Sequence, residues 1–292
     1  VVRVLGLDRG FPLALLMAFT PYAAIAAFFV AGLALALRNW AAAGVMGMVT
    51  LLLAAAVLPR AIGDRTVDPA GDETLSVLSS NIYVGSADPE ALVDLVDRYD
   101  VDLLSIQELT PRFARELRRE GLLRRLPYAI EETRPRSAGA GLYSRLPMRK
   151  MPGSQFFFRM PRAVLTMPDG GRLRVVGVHP YPPVSGSVDV WRKALTSLPP
   201  AGSGPAWILV GDFNSTLDQS QFRDLIDDGY RDAGDVAGEG LEPTWPNADH
   251  TLPPFITIDH VLADERLGIV DYGVEDLPGS DHRSIHAELA LP

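Results

Sequence analysis

In this 292-residue chain, side chains suited to metal or phosphate stand at or near the ends of β-rich runs. They are Asn81, Glu108, His179, Asp212 with Asn214, Asp259, and the adjacent pair Asp281 and His282 in "GSDHR". A strand buried on both faces has little use for a carboxylate except at its end. Glu108 and Asp281 are the carboxylates suited to Mg²⁺, with Mn²⁺ as the alternative ion. Mg²⁺ takes oxygen ligands, keeps several waters and binds through one or two carboxylates. Asn81 would add an amide oxygen. Taken alone, "GSDHR" reads as a solvated turn, so its meaning depends on the other positions.

Those positions need elements to hold them. "TLSVLSSNIYV" alternates and predicts a strand ending at Asn81. "DPEALVDLVDRYD" predicts a helix with Asp88 as N-cap and Pro89 at its first position. "VDLLSIQEL" predicts a strand ending at Gln107 and Glu108, and "TPRFARELRRE" a helix opened by Thr110 and Pro111. "GAGLYSRLP" holds a short strand, and "GRLRVVGVHP" a strand ending at His179. "SVDVWRKALTSL" and "LDQSQFRDLIDDGY" read as helices. "AWILVGDFN", "FITIDHVLA" and "RSIHAELAL" read as strands. Strands and helices mixed in this way make a layered α/β domain.

The segments "SNI", "IQE", "YSR", "VHP", "GDFN", "IDHV" and "SDHR" occur in this order. Together they resemble the endonuclease/exonuclease/phosphatase superfamily of metal-dependent phosphodiesterases and phosphatases, over residues 75–290. The resemblance implies a four-layer α/β/β/α sandwich. It implies that Asp212 orients or deprotonates the attacking water and that Asn214 binds the scissile phosphate, with Asn81 beside it. It implies that His282 contacts that phosphate and is oriented by Asp259. An imidazole held by a buried carboxylate keeps a fixed tautomer and favours its charged form. His179 matches a second histidine that hydrogen-bonds the phosphate or assists the leaving oxygen. Tyr143 and Arg145, from "YSR", are expected to line the phosphate pocket.

The sequence departs from the family in places. Tyr83 stands where many relatives carry an acid that helps with metal, and Thr257 where bacterial relatives often carry arginine. "IDH" replaces the commoner "IDY", which places His260 in strand packing. His250 and His286 read as surface or strand histidines. Trp245, in "PTWP", lies on a loop where an aromatic can meet substrate.

The chain has a net charge of −9 and no cysteine, which rules out disulfides and thiolate chemistry. The first 65 residues hold five arginines against two aspartates, so the remainder is more acidic still, at −12. A protein that grips long nucleic acid usually shows a basic excess, so long nucleic acid is the less expected partner. "FPLALLMAFTPYAAIAAFFVAGLALAL" and "AAAGVMGMVTLLLAAAVL" are two uncharged runs flanking "RNW". A membrane-spanning helix needs roughly 20 apolar residues, within about 17–25. Two transmembrane helices are expected, at about 16–37 and 41–58, with the first starting near Pro21 after a partly interfacial lead-in. The organisation is then a membrane region over 1–58, a linker over 59–73 and a catalytic domain over 74–292.

A membrane hairpin joined to this domain resembles the bacterial teicoplanin-resistance membrane proteins, linked to dephosphorylation of polyprenyl pyrophosphate outside the cytoplasmic membrane. The expectation is a membrane-anchored hydrolase of a phosphorylated lipid, polyprenyl pyrophosphate or a phospholipid headgroup, with its domain on the extracytoplasmic side of the cytoplasmic membrane. Arg3, Arg9, Arg60 and Arg65 outside the hairpin, against Arg38 in its turn, favour the opposite side. A membrane-anchored nuclease is the alternative, because the motifs specify phosphate-ester hydrolysis and not the alcohol. A non-catalytic binding module is disfavoured by the intact set of acids.

Overall fold

The computed structural model describes residues 2–64, 73–153, 156–247 and 252–291. The strands are β1 (Thr74–Asn81), β2 (Leu103–Gln107), β3 (Tyr128–Glu132), β4 (Ala140–Ser144), β5 (Met148–Met151) and β6 (Arg162–Thr166). They continue as β7 (Arg172–Val178), β8 (Trp207–Asp212), β9 (Tyr230–Asp232), β10 (Asp259–Asp264), β11 (Gly268–Glu275) and β12 (Ser284–Ala290). The helices are α1 (Val2–Leu5), α2 (Leu13–Met17), α3 (Thr20–Ala36), α4 (Trp40–Val57) and α5 (Pro89–Arg98). They continue as α6 (Pro111–Arg119), α7 (Leu122–Arg125), α8 (Val188–Thr196), α9 (Ser220–Asp227) and α10 (Ala233–Ala237).

Two mixed six-stranded sheets form, in the orders β11-β12-β1-β2-β4-β3 and β5-β6-β7-β8-β10-β9. Each contains one parallel pair, β1 with β2 and β7 with β8; its other pairs are antiparallel. The period-two alternation of a strand decides which layer each side chain enters. Val77, Leu103, Val175, Ile208, Val210 and Val261 point between the sheets into one core. Leu78, Leu104 and Ile106 point the other way, onto Leu92, Val96, Phe113 and Leu117 of α5 and α6. Val176, Leu209 and Leu262 point outward onto Trp191 and Phe222 of α8 and α9. The result is the helix–sheet–sheet–helix order that the family resemblance implies.

The helix starts follow local chemistry. Asp88 accepts from the backbone N–H of Glu90 and Ala91, and Thr110 from that of Phe113, each with proline at the first helical position.

The N-terminal region differs from expectation. The first apolar run does not make one long helix. It divides into α2 and the 17-residue α3, with Pro21 in the first turn of the latter. Among the described residues, one helix, Trp40–Ala61, is long and apolar enough to cross a membrane by length and composition. α3 packs against α4, and both expose large apolar side chains, among them Phe28, Phe29, Leu33, Leu51 and Leu52.

The lead-in docks on the two-sheet domain. Ala14 is fully buried, its carbonyl accepts from Gln219 Nε2, and Asp8 Oδ2 accepts from the Ser220 N–H. Phe19 stacks on Phe255, and Tyr22 donates to the Phe255 carbonyl.

The start of the expected linker is also fixed. Leu58–Ala61 is a 3-10 turn, and buried Arg60 makes a two-pronged pair with buried Asp218 at 2.9 and 2.7 Å. Arg3 Nε joins the same carboxylate at 2.8 Å. The rest of that segment, 65–72, lies outside the described residues, as does His250.

Candidate active site

β1 and β2 run parallel, with Asn81 opposite Gln107, so Asn81 and Glu108 emerge together at one end of the first sheet. β12 runs antiparallel to β1, so the "GSDHR" turn that precedes it arrives at the same end. On the second sheet β7 and β8 are parallel and deliver His179 and Asn214 past their ends. β10 is antiparallel to β8 in a register that sets Asp259 directly opposite Asp212. Asn81, Glu108, His179, Asp212, Asn214, Asp259, Asp281 and His282 therefore meet at one end of the sandwich.

Two carboxylates facing each other across a strand pair repel. His282 resolves this. Its Nδ1 lies 2.9 Å from Asp259 Oδ2, and its Nε2 lies 3.8 Å from Asp212 Oδ2. Burial alone would favour the neutral ring, but Asp259, and after it Asp212, lift its pKa to about 10. The ring is thus held as an imidazolium. Burial pushes the Asp212 carboxyl well up; the His282 charge opposes that rise and Asp259 adds to it. Asp212 Oδ1 accepts the Asn214 backbone N–H at 2.7 Å, and its Oδ2 accepts from Asn81 Nδ2 at 3.2 Å and Asn214 Nδ2 at 3.3 Å. His179 is held neutral, its pKa pulled down to about 3 by burial and then by the His282 charge. Its Nε2 stands 3.7 Å from Asp212, and its buried Nδ1 has no hydrogen-bond partner.

Glu108 lies on the rim. Its Oε2 accepts the Val84 N–H at 2.7 Å, and burial raises its proton affinity, with the negative charge of Asp281 adding to the rise. Asp281 Oδ2 accepts from Trp245 Nε1 at 3.3 Å. Asn81 Oδ1 accepts the Tyr83 N–H at 3.1 Å, which leaves that oxygen one lone pair. Two carboxylates that feel each other's charge, each bonded to a neutral N–H donor, fit a hard divalent cation. Asp212, Asp259 and His282 form a second group whose ligand atoms lie within 4.8 Å of one another. A cation there would have to displace a ring proton from the His282 imidazolium.

Backbone strain concentrates here. Tyr83 (φ 43°), Val84 (φ 55°), Glu108 (φ 61°) and Asn214 (φ 48°) all adopt left-handed conformations. Such residues cost about 1–3 kcal/mol each and persist where surrounding structure dictates them. Here the left-handed turn at Tyr83 and Val84 aims backbone N–H groups at Asn81 and Glu108.

The "GSDHR" turn is likewise built, not solvated. Ser280 Oγ donates to the Asn81 carbonyl and accepts the His282 N–H. A Cβ on Gly279, at φ 78°, would come within 2.5 Å of the Ser86 carbonyl oxygen. The Asn247 N–H donates to the Asp281 carbonyl at 2.7 Å, and its Nδ2 to the Leu277 carbonyl at 3.0 Å. Thr244 Oγ1 accepts the N–H groups of Ile258 and Asp259. Neither role of Thr244 and Asn247 is visible in the sequence, where "PTWP" marks a loop and not its partners.

Two expected site residues are not brought to the cluster. Tyr143 is buried among the helices packed on the first sheet, and its hydroxyl donates to Glu131 at 3.0 Å. β4 runs antiparallel to β2 with Ser144 opposite Leu103, so Arg145 lies at the far end of the sheet. There it pairs with Asp100 and Asp102. His260 bonds Asp232 and the Ser215 carbonyl inside the second layer. His286 is buried on β12 and stacks on Tyr99. Trp245 sits at the rim, as the donor to Asp281.

A family model for the endonuclease/exonuclease/phosphatase family matches residues 78–282. Several solved structures share the fold. An endonuclease/exonuclease/phosphatase from Beutenbergia cavernae DSM 12333 is 17% identical with a TM-score of 0.54, covering 75% of this chain and 72% of its own. D. rerio TDP2 complexed with a single-strand DNA product is 17% identical with a TM-score of 0.56, covering 75% and 99%. Sphingomyelinase C from Streptomyces griseocarneus is 16% identical with a TM-score of 0.52, covering 74% and 99%. A search among curated proteins gave no match.

Proposed function

The chain belongs to the endonuclease/exonuclease/phosphatase family, and on that premise we propose that it is a membrane-anchored, divalent-metal-dependent phosphoesterase. Its substrate is a phosphate ester or pyrophosphate carried by a lipid, either polyprenyl pyrophosphate or a phospholipid headgroup. The observation that carries the reading is the pairing of Asp212 with the Asp259–His282 couple, at the end of the domain where the apolar lead-in docks. The sphingomyelinase relative shows that a lipid-named enzyme uses this fold.

Each residue has a task that follows from its geometry. Asp212, with its raised proton affinity, accepts the proton of the attacking water. The Asp212 carboxylate is held in place by three N–H donors. Asn214 and the His282 imidazolium face the phosphate oxygens, and Asp259 fixes the ring and its charge. Neutral His179 stands beside Asp212, with Nε2 available to the leaving side. When bound by Glu108, Asp281 and Asn81, Mg²⁺ or Mn²⁺ supplies charge neutralisation at the phosphate. The domain stands outside the cytoplasmic membrane. The arginine count points inward, but long domains translocate largely regardless of charge.

The test is a panel with Mg²⁺ on the detergent-purified full chain. It comprises polyprenyl pyrophosphate, phospholipids, inositol phosphates, and single- and double-stranded DNA. Lipid phosphates are expected to turn over fastest; faster cleavage of DNA replaces this reading with the nuclease. Protease treatment of intact spheroplasts is expected to digest the domain. Digestion only after lysis puts it on the cytoplasmic side.

A further inference from the structure

Beside the candidate catalytic cluster lies a cavity of about 320 Å³. Asn214 and His282 of the cluster are among its lining residues. Gln219 also lines it, with its amide already engaged by Thr216 and the Ala14 carbonyl. The other lining residues are largely apolar, with Leu15 and Ala18 from the N-terminal lead-in, Val184 from the loop after His179, and Ile256 from the segment before β10. Among the described residues, no lysine, arginine, aspartate or glutamate lines it. An occupant that matches this surface has an anionic group at one end and hydrocarbon immediately next to it.

A nucleotide chain does not match. Its neighbouring phosphates call for basic contacts, and the cavity offers none beyond His282. A glycerol backbone matches poorly too, because its ester oxygens would be stripped of water against Val184 and Ile256 without partners. The lead-in that supplies Leu15 and Ala18 continues into Phe19, Tyr22, Ile25 and Phe28, all exposed. A hydrocarbon leaving the cavity on that side passes from one apolar wall to the next.

We propose that this cavity is a specificity site, in which the lead-in to the hairpin holds the first carbons of a hydrocarbon chain bonded directly to the phosphate oxygen. The inference rests on the phosphoesterase reading and narrows it, from lipid phosphates in general to those without a glycerol spacer. It gives the N-terminal segment a part in choosing substrate in addition to anchoring. The lead-in is fixed for this by the Gln219 bond to the Ala14 carbonyl and the Asp8 bond to Ser220.

The experiment uses the full chain in detergent with Mg²⁺ and compares dodecyl phosphate, methyl phosphate, dioleoyl phosphatidic acid and an oligonucleotide. Each methylene buried is worth about fourfold in affinity. Dodecyl phosphate is therefore expected to exceed methyl phosphate in kcat/KM by about 50-fold or more, and to exceed phosphatidic acid. Val184→Asp, on an exposed loop, and Ala18→Leu, which fills the cavity, are each expected to lower the dodecyl-to-methyl ratio about 10-fold. Equal use of dodecyl and methyl phosphate by the wild type, or an unchanged ratio in both variants, overturns the assignment. So does preference for phosphatidic acid or the oligonucleotide. Binding supplies a readout that does not depend on turnover, because Trp245 also lines the cavity. Dodecyl phosphate is expected to change its fluorescence, and Val184→Asp to weaken that titration about 10-fold. If binding behaves so while no ester is hydrolysed, the cavity assignment stands and the phosphoesterase reading fails. If hydrolysis proceeds while both variants bind dodecyl phosphate as the wild type does, the cavity assignment fails alone.

Discussion

Asp212→Asn isolates the proposed proton acceptor with the least disturbance, because the two side chains have the same shape. One oxygen keeps its role: Oδ1 still accepts the Asn214 backbone N–H, 2.7 Å away. The other becomes an NH₂ group that faces Asn81 Nδ2 and Asn214 Nδ2, two donors at 3.2 and 3.3 Å. Two hydrogen bonds are lost, at roughly 0.5–1.5 kcal/mol each, so the variant is expected to fold with reduced stability. The catalytic loss should be larger. An amide accepts no proton from water at neutral pH, and removal of a general base typically costs about 10²–10⁴-fold. That corresponds to about 3–5 kcal/mol of transition-state stabilisation. Glu108 and Asp281 are untouched, so Mg²⁺ affinity should stay within a few-fold of the wild type. The assay is single-turnover phosphate release at saturating Mg²⁺, paired with calorimetric titration of the ion. Turnover within threefold of the wild type would refute the assignment and make Asp212 structural. A parallel collapse of Mg²⁺ binding would place Asp212 in the metal shell instead.

Glu108→Gln and Asp281→Asn are each expected to weaken Mg²⁺ binding at least 10-fold by calorimetry; unchanged affinity in both would remove them from the cation site. Arg60→Met leaves the buried Asp218 carboxylate with Arg3 as its one remaining ion-pair partner among the described residues. Breaking a buried pair costs about 3–5 kcal/mol, so the urea midpoint in detergent should fall clearly, and an unchanged midpoint would contradict the clamp. His282 has a folded pKa raised to about 10, so its stabilisation is fully present below the ordinary histidine value near 6.5. It is lost as pH rises from there through about 10. Urea unfolding in EDTA from pH 6 to 10 should show that decline, and Asp259→Asn should flatten it.

Chemistry was more legible in the sequence than geometry. The acids at strand ends could be read because a buried strand tolerates them almost nowhere else, and the turns and caps that aim them carry their own signals. Tyr143 and Arg145 show where that reading stops. Both stand in the right motif, yet the antiparallel run of β4 carries Arg145 away from the cluster and the alternation turns Tyr143 into a helix-covered core. Strand direction is a property of pairing partners, which local pattern does not contain. The edge strands β3 and β5 were missed for a related reason. Tyr128 and Ala129 at the start of β3 are exposed, as are Arg149 and Lys150 of β5, so neither strand shows a clean buried alternation. The apolar run beginning at Phe11 misled in the opposite sense. Hydropathy cannot distinguish an alanine that faces lipid from Ala14 and Ala18, which are buried.

The site also divides its labour by sheet. Asn81, Glu108, Asp281 and His282 come from the first sheet; His179, Asp212, Asn214 and Asp259 come from the second. Two hydrogen bonds join the halves, His282 to Asp259 at 2.9 Å and Asn81 to Asp212 at 3.2 Å. The proposed cation ligands and the proposed proton acceptor are therefore held by different layers, and the spacing between the layers decides whether they act together. That spacing is set beneath the site by close packing. Ser105 Oγ of the first sheet donates to the Val210 carbonyl of the second at 3.2 Å. A Cβ on Gly211, at φ 150°, would lie 2.1 Å from the Val178 carbonyl oxygen and 2.9 Å from Gln107 Nε2. Glycine in "GDFN" thus keeps β8 close both to its own neighbour and to the opposite sheet. Close-packed interiors do not stretch by tenths of an ångström without cost, so the packing that holds the sandwich together also fixes the distance between the proposed cation ligands and the proposed base.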